Sequence, residues 1–198
     1  NLYLDIDGVL LGCSTDTYAK GAIELIEYVT SEFDCYWLTA HGKGNSDDVV
    51  EYLSRYFPSE VLERLERIKP ARWVDLRTEG IDFNKKFIWL YGALSNAEQE
   101  VLRNFRMEGS AYKVNLRNEN ELENVMAHLK SIKSKIRKRR MAFLYTLLTL
   151  ILAIIIAILA LGLSIWCFID GTYYIGVFAL FICIAQVCNY FLIKKKRY

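Results

Sequence analysis

The chain has 198 residues, of which 53% are hydrophobic, with 25 Lys and Arg against 23 Asp and Glu. That length bounds it to about one domain with an appendage, and the net charge of +2 averages two different stretches and says little, the cations clustering at the edges of the apolar block. The apolar excess is concentrated: residues 1–140 mix charged and apolar side chains as a globular domain does, whereas residues 141–193 are almost free of charge.

In chain order, Leu2-Tyr3-Leu4-Asp5-Ile6 reads as a short strand ending in acids and Gly8. Ala22, Ile23, Leu25, Ile26 and Val29 then form a helical stripe within residues 18–32. Cys35 to Leu38 is a second buried strand. Val49, Val50, Leu53 and Tyr56 mark a helix stopped near Pro58, and Val61, Leu62, Leu65 and Ile68 mark another stopped before Pro70. Phe87 to Leu90 is a third strand, Ala97 to Phe105 a helix and Tyr112 to Leu116 a fourth strand. Asn118 is placed as the cap of a last helix with Leu122, Val125, Met126, Leu129, Ile132 and Ile136 on one face. Strands that are continuous apolar runs alternating with helices predict an α/β, Rossmann-like parallel sheet with flanking helices over residues 1–130.

The last soluble helix is expected to continue without a break through a basic juxtamembrane stretch, 131–140, into the first of two transmembrane helices, since neither Pro nor Gly interrupts it. The apolar run 141–169 exceeds the roughly 20 residues needed to cross a bilayer. Asp170-Gly171-Thr172 is a turn signal, and 173–193 is a second run of spanning length, giving a hairpin. Lys133, Lys135, Arg137, Lys138, Arg139 and Arg140 precede the first run, and a tail, 194–198, carrying Lys194, Lys195, Lys196 and Arg197 follows the second. The positive-inside rule then places both termini and the globular domain on the cytoplasmic side of the inner or cytoplasmic membrane. Trp166, Tyr173 and Tyr174 fit an aromatic belt at the far interface. Ser164, Gln186 and Asn189 are the polar side chains suited to pairing helices of one chain or of a homo-oligomer. The basic flank is expected to meet anionic membrane lipids; beside a span, it is not read as a nucleic-acid site.

The five cysteines, Cys13, Cys35, Cys167, Cys183 and Cys188, are odd in number and lack close metal-binding spacing, so they read as reduced thiols rather than a disulfide or zinc framework. No signal peptide stands at the start. The chain opens on Asn1 rather than Met, so residues can precede it.

In parallel α/β sheets ligands sit beyond the carboxyl ends of the strands. Those positions hold Asp5 and Asp7, Thr39 and His41, and Tyr91 and Gly92. A strand-end carboxylate can attack phosphorus. A second carboxylate two residues on can move the proton, and Mg²⁺ can neutralise the charge. His41, a lone His in a polar loop, is read mainly as solvated.

These residues carry a resemblance. Residues 2–10, LYLDIDGVL, resemble the first signature of the haloacid dehalogenase superfamily of phosphatases, and residues 35–42, CYWLTAHG, resemble its second. The likeness covers about residues 2–130, and the stretches WLTAHGKG, IKPARWVDLRTEGIDF and FIWL look closest to small bacterial proteins of that fold. The resemblance implies Asp5 as nucleophile and Mg²⁺ ligand, and Asp7 as acid/base offering its backbone carbonyl to the metal. It also implies that Thr39 holds the phosphoryl oxygens. By spacing, Arg77 takes the place of the family's Lys, which binds and neutralises the transferred phosphoryl group, with Lys85 and Lys86 as fallbacks. The family's closing pair of acids is replaced by Tyr91-Gly92, leaving Asn96 or Glu98 as partial substitutes. Mg²⁺ binding is therefore expected to be weak or lost.

The intervals 7–39 and 39–87 leave no room for a full cap domain. In the family an open site goes with large substrates or with partner chains that complete it. Three functions follow as expectations. The favoured one is a degenerate phosphohydrolase that binds a phosphorylated ligand or macromolecule and signals to the membrane hairpin, with membrane disruption as one output. The alternative is an active Mg²⁺-dependent phosphatase acting on a large or membrane-proximal substrate. The third is a plain membrane scaffold.

Overall fold

The computed structural model describes residues 1–12, 17–169 and 177. The chain divides into two compact units, Asn1–Ser131 and Ile132–Tyr198.

The first unit is built on five strands: β1 (Leu2–Leu4), β2 (Cys35–Trp37), β3 (Lys69–Pro70), β4 (Ile88–Tyr91) and β5 (Ala111–Lys113). They lie in the order β3-β2-β1-β4-β5, and every pairing is parallel. The helices between them are α1 (Ala22–Glu32), α2 (Ser46–Leu53), α3 (Ser59–Leu65) and α4 (Asn96–Asn104). The expected α/β parallel sheet is thus present, with one strand more than the apolar runs announce. β3 is two exposed residues paired with Tyr36 and Trp37, too short and too polar to leave a pattern.

Successive side chains of a strand point to opposite faces, and the core follows that rule. Leu2 and Leu4 pack with Ala22, Leu25, Ile26, Val29, Leu53, Leu65 and Leu122 on one face. Tyr3 packs with Leu38, Phe87, Trp89 and Leu102 on the other. Because both faces are covered, the strands need no polar alternation, and their unbroken apolar sequences follow. Cys35 is buried and its thiol donates to the Val29 carbonyl at 3.2 Å. Burial pushes it up to about 12, which matches the inert-thiol reading.

The last helix, α5, runs from Glu121 to Ile169 as one element with no loop between 130 and 142. It starts later than the Asn118 cap predicted. Asn118 Nδ2 instead donates to Glu121 Oε2, and the Asn115 amide donates to Glu121 Oε1. Asn120, at φ 58°, makes the left-handed step into the helix. By length and composition α5 is the one helix among the described residues able to cross a membrane. Apart from residue 177, the second predicted span, its turn and the basic tail lie outside the described residues; of the predicted hairpin, the described residues show one long apolar helix.

Candidate functional site

The register of the sheet brings three strand ends together. Leu4 pairs with Trp37 of β2 and with Leu90 of β4, the Leu38 amide donates to the Leu4 carbonyl at 2.9 Å, and the Asp5 amide donates to the Leu90 carbonyl at 3.0 Å. Asp5, Thr39 and Gly92 therefore stand at one edge, beyond the carboxyl ends of the central strands. This is where the chain crosses from the β2–β3 side of β1 to the β4–β5 side, the switch point at which open α/β sheets bind ligands.

After β1 the chain turns back at once. The amides of Val9, Leu10 and Leu11 all donate to the Ile6 carbonyl, and that of Gly8 donates to Leu11. Gly8 takes φ +74°, a conformation that disfavours any other residue. The turn buries Asp5 and exposes Asp7.

Asp5 Oδ1 accepts from the Ile6 amide at 2.9 Å, and Oδ2 accepts from Arg77 Nη1 at 2.5 Å. Arg77 reaches in from a 3₁₀ turn, Arg77–Gly80. The Glu79 carboxylate sets that turn by accepting from the amides of Val74, Asp75 and Leu76, and those hydrogen bonds hold its carboxyl below the usual range. The guanidinium then meets a second buried acid. Nε and Nη2 donate to Glu98 Oε1 and Oε2 at 2.8 and 3.0 Å, and Nη2 also donates to the Ala93 carbonyl at 2.7 Å. Its face lies over Trp89, 5.1 Å from the ring centroid. Glu98 also closes a capping box at the start of α4, accepting from the amide and hydroxyl of Ser95.

One guanidinium serves two carboxylates, and they fare differently. Burial is the largest influence on Glu98 and works against its charge, but the hydrogen bonds from Arg77 and Ser95 and the charge of Arg77 together outweigh it and lower its carboxyl. Asp5 has a single link to Arg77, so burial prevails and its carboxyl rises from 3.8 to about 6. Arg77 itself is desolvated, yet Glu98 and Asp5 together keep it charged and raise its pKa.

The sign of Asp5's contribution to stability follows. Its folded pKa lies above its unfolded one, so the favourable contribution is full below about pH 4 and is lost as pH rises through 6. The loss is on the order of 3 kcal/mol for a shift near two units. Asp5→Asn removes this dependence. Denaturant unfolding at pH 4, 5, 6 and 7 is expected to show the variant gaining on the wild type across that window; parallel curves would refute it.

Asp7 faces outward. Its Oδ2 lies 2.8 Å from His41 Nε2, and the His41 ring stacks on Tyr52 with centroids 4.0 Å apart and planes 14° apart. Thr39 is buried and its Oγ1 accepts from the His41 amide at 3.4 Å. Of the fallback cations, Lys85 pairs with Asp82 at 3.1 Å and Lys86 precedes β4 at the opposite end of the sheet. Sequence reading thus places Asp5, Asp7, Thr39 and Arg77 in one neighbourhood. It misses the His41–Tyr52 clamp on Asp7 and Glu98's grip on Arg77. The Ser95-Asn96-Ala97-Glu98 spacing is a capping-box signature and could have flagged Glu98 as a fixed side chain, though not its partner.

The residues present do not fit a Mg²⁺ ion. Hard divalent cations require several oxygen donors. Asp5 is held by Arg77, the side chain of Asp7 by His41, and Glu98 by Arg77 and Ser95. No group of three or more His, Cys, Asp or Glu side chains suited to a metal occurs among the described residues. Nor is there space for a carboxylate at position 92. A Cβ on Gly92 would lie 2.5 Å from the Asp7 carbonyl oxygen and 2.8 Å from the Gly8 Cα.

Fold and site together define a parallel α/β domain with an acid-bearing strand edge, on a chain whose described residues include one helix apolar enough for a membrane. Comparison with protein-family models, with curated proteins and with solved structures gave no match.

Proposed function

We propose that this chain is a membrane-anchored domain of the haloacid dehalogenase type that has given up hydrolysis and binds a phosphorylated ligand, passing its occupancy to the membrane segment. Gly92 carries this reading. A phosphatase of that type needs carboxylates after β4 to hold Mg²⁺, and here the β4 end is packed against the backbone of Asp7 and Gly8. Asp5 and Thr39 at neighbouring strand ends are the residues the resemblance assigns to the phosphoryl group. The apolar run of α5 and the basic residues before it support a cytoplasmic domain tethered at the inner face among anionic lipids. In this reading residues 173–193 complete a two-helix hairpin through which copies of the chain can associate. The alternative, an active Mg²⁺-dependent phosphatase on a large or membrane-proximal substrate, draws on Asp5 and Asp7, and in it Asn96 or Glu98 would have to leave their present partners.

Thermal unfolding of the full chain in a non-ionic detergent separates the two. Inorganic phosphate without metal is expected to raise the melting temperature, and Thr39→Val to abolish the rise; no response to phosphate would refute the binding reading. Mg²⁺ with beryllofluoride, which on a carboxylate imitates an aspartyl-phosphate, is expected to add nothing that Asp5→Asn removes. A ligand at about 100 times its Kd contributes about 2.7 kcal/mol, several degrees for a domain this size. A shift of that order requiring Mg²⁺, beryllofluoride and Asp5 together would establish the active enzyme instead.

A further inference from the structure

We infer that Arg77 is the resident cation of this site: its guanidinium, bound between the buried carboxylates of Asp5 and Glu98, supplies the positive charge for which related chemistry uses a divalent metal, and the site works without one. The inference rests on reading Asp5 as a site residue and adds what neutralises it.

Charge is the first argument. The side chains of Asp5 and Glu98 are 6% and 5% exposed, and that of Arg77 is 15% exposed. Two carboxylates so withdrawn from water need a counter-charge near them. The nearest is the guanidinium, which reaches both at once because it is planar and forked, where an ammonium would be a single point of charge.

Commitment is the second. Of the five N–H groups of an arginine, one goes to Asp5, two to Glu98 and one to the Ala93 carbonyl, and the plane rests over Trp89. An arm fixed at three partners and on one face is not free to follow a substrate phosphoryl group in and out. Only one N–H, on Nη1, remains for a ligand. Arg77 is therefore a positioning and neutralising residue, with at most one hydrogen bond to offer beyond the protein.

Exclusion is the third. For Mg²⁺ to enter beside Asp5 it would have to shed water, which it does reluctantly, and displace a guanidinium that would be left partly buried. The Asp7 side chain is turned to His41, and position 92 offers no oxygen-bearing side chain and no space for one. The same geometry makes the carboxylate pair a latent cation site: without the guanidinium, Asp5 and Glu98 flank a buried volume that demands a positive charge.

The test uses the full chain in a non-ionic detergent with metal ions alone as probes, so it reads out independently of whether phosphate binds. Trp89, lying under the guanidinium, is placed to sensitise Tb³⁺ luminescence, and Mg²⁺ competition reports its affinity. In the wild type no saturable signal that Asp5→Asn removes is expected up to about 10 mM Mg²⁺, an order of magnitude above the weakest protein sites for such ions. Arg77→Met is expected to acquire one, at least tenfold tighter, that Glu98→Gln in the same background removes. A wild-type site below about 1 mM Mg²⁺ that depends on Asp5 would overturn the inference, as would a folded Arg77→Met protein that takes up no ion. The wild-type titration decides the matter even if Arg77→Met does not fold, which circular dichroism will report. Chelator-insensitive phosphate binding with no metal uptake would support both readings; metal-free protein without phosphate binding would refute the proposed ligand while leaving Arg77 as the resident cation.

Discussion

Arg77→Met is expected to lower stability by about 3–5 kcal/mol near neutral pH, the range found when one partner of a buried ion pair is removed and the other is left uncompensated. The wild-type side chain joins a 3₁₀ turn, the end of β1 and the N-terminus of α4 through Asp5, Ala93 and Glu98. Methionine keeps the apolar stem but ends near the place of Nε, so the loss combines the missing charge with a small gap over Trp89. The pH dependence distinguishes the charge part from the packing part. Both carboxylates can accept a proton when Arg77 is gone, so the deficit shrinks as pH falls toward 4. Neutralising them in the same protein, as Asp5→Asn with Glu98→Gln, is expected to restore much of the loss, because the three groups act as a unit. Denaturant unfolding of the single and triple variants at two pH values checks this. A deficit under about 1 kcal/mol, unchanged with pH, would mean that water already reaches and screens the triad.

How much of this was legible in the sequence depends on the range of the signal. The run Leu2-Tyr3-Leu4 and the stripe Ala22, Leu25, Ile26, Val29 betray themselves locally, since a strand buried on both faces and a helix buried on one each impose a short period. Asp5, Asp7 and Thr39 were legible as strand-end residues because a strand end is a position that the apolar run itself marks. β3 was not: Lys69-Pro70 is a strand only because Tyr36 and Trp37 lie beside it. The Arg77–Glu98 pair spans 21 residues between a 3₁₀ turn and a helix start, and no local period connects them. His41 looked like a solvated loop residue because Tyr52, whose ring it stacks on, belongs to another element. The resemblance puts acids where Tyr91-Gly92 stands, but the reason that one cannot simply be placed there is a contact between two loops distant in sequence.

That contact gives the second large effect. Gly92→Asp, the substitution that would place an acid after β4, is expected to destabilise the protein by about 3 kcal/mol, the upper part of the usual range for overpacking, and to confer no phosphatase activity. The Cβ would meet the Asp7 carbonyl oxygen at 2.5 Å and the Gly8 Cα at 2.8 Å, and both belong to backbone. Gly8 at φ +74° sits in a turn closed by hydrogen bonds from Gly8, Val9, Leu10 and Leu11, so it cannot yield as a flexible side chain would. Any relief must come from moving the β1 turn away from β4, which would loosen the link between the Asp5 amide and Leu90. Gly92→Ala isolates the steric part and is expected to account for most of the loss; the carboxylate of the Asp variant then adds repulsion from Asp7 on top. Unfolding of the two variants, with phosphate release from a generic aryl phosphate in the presence of Mg²⁺, measures both halves. A stable Gly92→Asp protein with Mg²⁺-dependent turnover would show that this loop pair can open and that position 92 accepts an acid. A destabilised, inactive one would mean that the backbones after β1 and β4 are closed over position 92, so that one substitution there cannot supply a metal-binding carboxylate.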